Sequence, residues 1–142
     1  MKHSAKIDYA CKAILELGCH WPNQTPVQIQ AIAQRQKIPL KFLTQILINL
    51  KQMGIVESLR GKSGGYLLSK EPNEIKLVDV MRALNGLEPA PRRQRINAND
   101  THVMDQVWQE IDERVCHTLE KINFEMICHR HSHRVNVVTY EI

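Results

Sequence analysis

Residues 40–68 read LKFLTQILINLKQMGIVESLRGKSGGYLL, and this run constrains the fold more than any other part of the chain. Phe42, Leu43, Ile46, Leu47 and Leu50 recur at three- and four-residue spacing, which predicts an amphipathic helix closing at Met53-Gly54. Two short apolar strands, 55–59 and 66–68, are joined by Arg60-Gly61-Lys62-Ser63-Gly64-Gly65. A helix that runs straight into a hairpin with a basic, glycine-rich tip has few homes among small folds.

The upstream sequence supplies the rest of that pattern. Ile7, Ala10, Cys11, Ile14, Leu15 and Leu17 predict a first helix over 4–19, with Ser4 as its N-cap. A second helix is expected from Thr25-Pro26-Val27-Gln28: Thr25 caps, Pro26 takes the first helical position and Gln28 completes a capping box. It buries Ile29, Ile32 and Ala33 and ends near Gln36; Lys37-Ile38 turns and Pro39 opens the third helix. The expected fold class is mainly α, a winged helix-turn-helix with a two-stranded wing and a long C-terminal dimerisation helix.

In such a fold the third helix enters the DNA major groove, and the wing lays cations and backbone N–H groups along phosphates. The face opposite the apolar stripe carries Lys41, Thr44, Gln45, Ile48, Asn49 and Gln52. Gln and Asn can bond adenine edges bidentately, and Lys can serve guanine or phosphate. Gln28, Lys41, Thr44, Gln45 and Asn49 are the candidate DNA-contacting residues of the helices. Arg60, Lys62, Ser63, Gly64 and Gly65 are those of the wing. Charge agrees: residues 1–70 hold ten Lys and Arg against three Asp and Glu, whereas 71–142 hold nine against twelve. A basic first half suits a polyanionic partner, double-stranded DNA, although ordinary solvation of a basic surface produces the same balance.

Beyond the wing, Glu71-Pro72-Asn73-Glu74 reads as a turn and 77–84 as a short helix. Residues 87–99, LEPAPRRQRINAN, hold no apolar period and read as a loop. Asp100-Thr101 should then cap a helix reaching 127, striped by Met104, Trp108, Ile111, Val115, Leu119, Ile122 and Met126. Such a rod is about 40 Å long, more than this small globule covers, so a helix from a second copy is the expected partner. The division is therefore 1–86 DNA-binding domain, 87–99 linker, 100–127 dimerisation helix and 128–142 tail.

The chemistry of catalysis is missing: no Walker-type phosphate loop is present, and Cys116 or Cys128 beside a His does not by adjacency make a nucleophile. An enzyme is not expected. Cys11 and Cys19, eight residues apart on one helix, read as core packing. Cys116, Cys128, His129, His131 and His133 carry metal-ligand chemistry, and the three histidines would share a side in an extended segment, but the usual ligand spacings are absent. A polar exit from the helix is the plainer reading, with 135–140 a weakly alternating terminal strand or docked tail. No apolar run approaches the roughly 20 residues that span a bilayer, and the N-terminus has no signal-peptide core, so no membrane partner and a cytoplasmic location are expected.

In element order and motif the chain resembles the Rrf-type family of winged-helix transcriptional regulators, the IscR-, NsrR- and CymR-like proteins. The resemblance rests on Lys6-Ile7-Asp8-Tyr9-Ala10, Ile29-Gln30-Ala31-Ile32-Ala33, Phe42-Leu43-Thr44-Gln45-Ile46-Leu47, Leu50-Lys51 and the wing from Arg60 through Leu68. Residues 75–84 and the helix around Trp108 extend it over nearly the whole chain. It implies a homodimer on a palindromic promoter site, repressing or activating, with Gln45 at base edges and Lys62, Ser63 and Gly64 in or beside the minor groove. Thr44 stands where the family often has Glu, which removes an acceptor for cytosine and implies a different preferred site. Cluster-binding members resemble one another in a loop with three close cysteines before the long helix; residues 87–99 contain none. Thiolate is the usual iron–sulfur ligand, and Asp8, His102 and Asp105, the positions left by the resemblance, are not thiolates. The expectation is a repressor without a cofactor. The alternative is a metal-, cluster- or thiol-responsive regulator of the same fold.

Overall fold

The computed structural model describes residues 3–23, 25–84 and 102–140. Helix α1 (Ala5–Gly18) begins at Ser4, whose hydroxyl accepts from the Ile7 N–H at 3.4 Å. Helix α2 spans Ile29–Gln36 and α3 spans Leu40–Gln52. Strands β1 (Val56–Leu59) and β2 (Gly65–Leu68) pair antiparallel, with Val56 opposite Leu68 and Leu59 opposite Gly65. A 3-10 turn at Pro72–Glu74 leads to α4 (Leu77–Ala83), and α5 (Val103–Glu120) and α6 (Phe124–Tyr140) follow. The mainly helical, winged architecture read from the sequence is the one formed.

One core joins these parts. Ile14 of α1, Ile32 of α2, Leu43, Leu47 and Leu50 of α3, Val56 of β1 and Val78 and Val80 of α4 are fully buried together. Across the top of α1 and α2 lies a polar tie. Glu16, itself buried, accepts from Arg35 Nη1 and Gln36 Nε2, both at 2.8 Å, with His20 Nε2 at 3.5 Å. Burial pushes the Glu16 carboxyl up, but these donors outweigh it and hold its pKa below the usual value.

Three sequence expectations are corrected here. Residues 25–28 are not the first turn of α2. Val27 instead exchanges two 2.8 Å backbone hydrogen bonds with Tyr66, adding one rung to the wing, and Gln28 is the N-cap without a side-chain cap bond. Phe42, expected inside, is 57% exposed and lies beside the Tyr9 ring at 6.5 Å.

The third correction concerns the C-terminal rod, which is two helices. The chain turns at 121–123 because it is pinned to the strand-like approach to α4: Leu77 N–H donates to Ile122 at 2.9 Å and Phe124 N–H to Ile75 at 3.0 Å. Asn123 Oδ1 accepts from Met126 N–H at 3.0 Å, in the manner of an N-cap, and Phe124 plugs the core. Leu119 is core rather than seam, and Val115 packs against the core. Ile122 sits in the turn, and residues 128–140 continue as helix, not as a polar exit or strand. Asp100 and Thr101, expected to cap α5, lie outside the described residues, as does the whole of the expected linker 87–99. His102 is the N-cap, its Nδ1 accepting from Met104 N–H at 3.2 Å.

Candidate nucleic-acid interface

The apolar stripe of α3 fixes which side is left over. With Leu43, Ile46, Leu47 and Leu50 buried, Lys41, Thr44, Gln45 and Ile48 face solvent and Asn49 is half-buried. Gln45 Nε2 donates to Asn49 Oδ1 at 3.3 Å, one helical turn on, so the two amides hold each other in place along the outer face. The Asn49 amino group and the Gln45 carbonyl stay available for base edges. The Thr44 hydroxyl donates to the Leu40 carbonyl at 2.9 Å, leaving its oxygen lone pairs and methyl outward. At the far end Lys51 Nζ donates to Ser58 Oγ at 2.7 Å and ties α3 to β1.

Two close backbone approaches shape the wing and seat its root. Gly65 (φ +150°) leaves Val27 so near that a Cβ would lie 2.5 Å from the Val27 oxygen, so only glycine permits the Val27–Tyr66 rung. That rung sets Gln28, exposed at the start of α2, next to the root of the wing. At the tip a Cβ on Gly64 would come within 2.3 Å of the Leu59 oxygen. Gly64 is buried and its N–H is spent on the Gly61 carbonyl at 3.0 Å, so it shapes the tip rather than offering an amide to phosphate. Arg60, Lys62 and Ser63 remain on the outside, all exposed. Two cations and a hydroxyl on a short hairpin suit the sugar–phosphate backbone, which rewards charge and small donors over shape.

The metal-type residues are scattered. Asp8 is engaged by Lys12 Nζ at 2.7 Å and lies 4.0 Å from His3. The His102 Nδ1 is taken by its cap, and Asp105 is exposed in the first turn of α5. Cys116 is half-buried on α5. His129 and His133 share a face of α6 with His131 turned away, since the segment is helical rather than extended. Among the described residues no three His, Cys, Asp or Glu side chains gather as a metal site. The donor set left by the family resemblance does not fit an iron–sulfur cluster: one ligand is salt-bridged, another is a cap, and neither is a thiolate. Cys19 departs from its expected place in the core: it is exposed and stands beside Cys128. That juxtaposition was invisible in the sequence, where the two lie on opposite ends of the chain. Among the described residues no helix is long and apolar enough to cross a membrane.

Known proteins bear out the architecture. Residues 3–130 match the Rrf2 family model, described as an iron-dependent transcriptional regulator. The HTH-type transcriptional regulator IscR of Photorhabdus laumondii is 32% identical over 128 residues, covering 88% of this chain and 77% of that protein. The structure of T. potens IscR superimposes with a TM-score of 0.74 at 31% identity, over 88% of this chain and 84% of that one. CymR, the global cysteine regulator of B. subtilis, gives a TM-score of 0.78 at 27% identity, over 92% and 98% of the two chains. A recognition-type helix flanked by a glycine-shaped wing, carried on a core shared with these regulators, leads to one assignment: the chain belongs to the Rrf2 family of DNA-binding transcriptional regulators and is not an enzyme.

Proposed function

We propose that the chain acts as a homodimer on a palindromic promoter site in the cytoplasm, reading bases with α3 and phosphates with the wing, and that it represses transcription by occupying that site. The observation that supports this most is the exposure of Lys41, Thr44 and Gln45 on α3, with Gln45 bonded to Asn49, together with the exposure of Arg60, Lys62 and Ser63 on the wing. Dimerisation is supported by the first half of α5. Val103, Met104, Val107, Trp108 and Ile111 recur on one stripe and are all exposed, Trp108 by 58%. A contiguous apolar stripe of this kind calls for a partner, and a second copy of the same helix is self-complementary. The seam is thus shorter than the full Met104-to-Met126 stripe expected from sequence, since Val115 and Leu119 belong to the body.

The two halves of the surface should fail differently. Lys62→Ala should weaken binding to all DNA alike and lower the salt slope by about one unit. Gln45→Ala should relax preference at one or two base pairs, by roughly 1–3 kcal/mol at each. Fluorescence anisotropy on a base-substituted operator panel at several salt concentrations separates them; a uniform loss in both variants would remove Gln45 from base readout.

We further propose that this member works without an iron–sulfur cluster, on the chemistry of Asp8, His102 and the cysteine-free stretch 87–99. Protein purified anaerobically should be colourless and bind its operator at full affinity. Stoichiometric iron and sulfide, with visible absorption bleached by oxygen, would refute this.

A further inference from the structure

Two thiols from distant parts of the chain meet where α6 crosses the end of α1. Gly18 faces α6 so closely that a Cβ there would lie 2.7 Å from Cys128 Sγ, so glycine is what admits the sulfur. The next residue, Cys19, is the C-cap of α1 and is exposed, and so stands beside the Cys128 sulfur that Gly18 admits. Cys128 is half-buried on the first turns of α6. The remaining cysteines are placed differently. Cys11 packs against the core, where burial and then the Asp8 charge push its thiol up to about 11, and Cys116 lies on α5.

We propose that Cys19 and Cys128 are a redox-active dithiol that closes to a disulfide on reaction with a hydroperoxide, locking α6 onto the winged-helix body. The two sulfurs are differentiated for the task. The hydrogen bond from Cys128 favours the Cys19 thiolate and lowers its pKa, against burial and the Glu16 charge, so the exposed sulfur is the one that ionises. The same bond, with burial and the charges of Cys19 and Glu125, pushes Cys128 up and keeps its proton on. Cys19 is then the attacking thiolate and Cys128 the resolving thiol.

In the first step the Cys19 thiolate attacks the terminal oxygen of the hydroperoxide. An S–O bond forms, the O–O bond breaks, and the alkoxide or hydroxide that leaves takes a proton from water. Sulfur loses two electrons and the peroxide gains them, giving a sulfenic acid. In the second step the Cys128 sulfur attacks the Cys19 sulfur, the S–O bond breaks, and the departing hydroxide takes the Cys128 proton and leaves as water. A thiol reductant reverses the lock by exchange. The cross-link lies within one chain, so it is independent of the dimer and of DNA binding.

The test is peptide mapping of the full-length protein after brief exposure to one equivalent of hydrogen peroxide, followed by alkylation and tryptic digestion. The expected product joins peptide 13–35, carrying Cys19, to peptide 122–130, carrying Cys128, lighter by two hydrogens than the separate pair and lost on treatment with dithiothreitol. Cys11 and Cys116 should be recovered alkylated. In the reduced protein at neutral pH, Cys19 should alkylate at least about 10-fold faster than Cys11. In Cys128→Ser, oxidation should stop at a sulfenic acid on Cys19 that a dimedone probe captures. Recovery of Cys19 and Cys128 as free thiols, or Cys19 joined to any other cysteine or to a second chain, overturns the proposal; the wild-type map decides this even if the variant fails to fold.

Discussion

At the scale of single residues, the side chains that meet solvent from a helix were easier to read than those that meet each other. Ser4 as a cap and Gln45 and Asn49 as an outward pair follow from position within a helical period, which local sequence carries. Glu16 carries no such local signal, because its partners Arg35 and Gln36 sit on another helix, 19 and 20 residues away. Cys19 misled in the same way: its spacing from Cys11 suggested a shared buried face, whereas the end of α1 exposes it to α6. The Glu16 tie has a pH signature. Its pKa is lowered from 4.5 by folding, so its stabilisation is complete above that value and is lost as pH falls through the folded pKa. Glu16→Gln should cost about 1–2 kcal/mol at neutral pH, discounted because Arg35 is half exposed. Urea unfolding of variant and wild type from neutral pH to below pH ~4 should show the two curves converging as the medium becomes acid; a constant gap would place the loss in packing instead.

Among the elements, α1, α3, the wing and α4 were legible to within a residue or two, because each has its own period and its own punctuation. Two boundaries were not. The start of α2 carries good capping residues, yet Val27 gains two backbone hydrogen bonds and burial by joining Tyr66, and tertiary pairing overrides a local cap. The break between α5 and α6 hid because Ile122 and Met126 keep the three-and-four step running across it, although Asn123 is a good N-cap that could have marked the start of α6. The wing's dependence on Gly65 yields a paired prediction. Gly65→Ala must open the Val27–Tyr66 rung and should cost about 1–3 kcal/mol of stability together with most operator affinity. Gly54→Ala, at φ +71° with nothing within 4 Å of the added methyl, should cost only about 1 kcal/mol and leave affinity unchanged. Thermal melts alongside anisotropy check both; equal affinity loss in the two variants would detach the rung from DNA binding.

For the whole molecule, the sequence conveyed that an apolar helix face exceeds what one chain can cover, but not where the face ends. The boundary is set by docking: Leu119 and Phe124 hold the end of α5 and the start of α6 to α4 and the core, which leaves the stripe from Val103 to Ile111 open on α5 and Met126 exposed beyond the turn. An ion pair between Arg82 and Glu120 at 3.7 Å spans the same junction, exposed and worth little. Two winged helices joined through that stripe would present two α3 helices and two wings to one duplex. Trp108→Glu with Ile111→Glu should therefore leave each chain folded, as circular dichroism would show, while burying two unpaired charges in any seam. Hydroxyl-radical footprinting of both proteins on a fragment that the wild type selects from genomic DNA tests the account most directly. The wild type should protect two segments related by two-fold symmetry, and the double variant neither segment at the same concentration. A single unsymmetrical protected segment, or a footprint that the double variant reproduces, would contradict it.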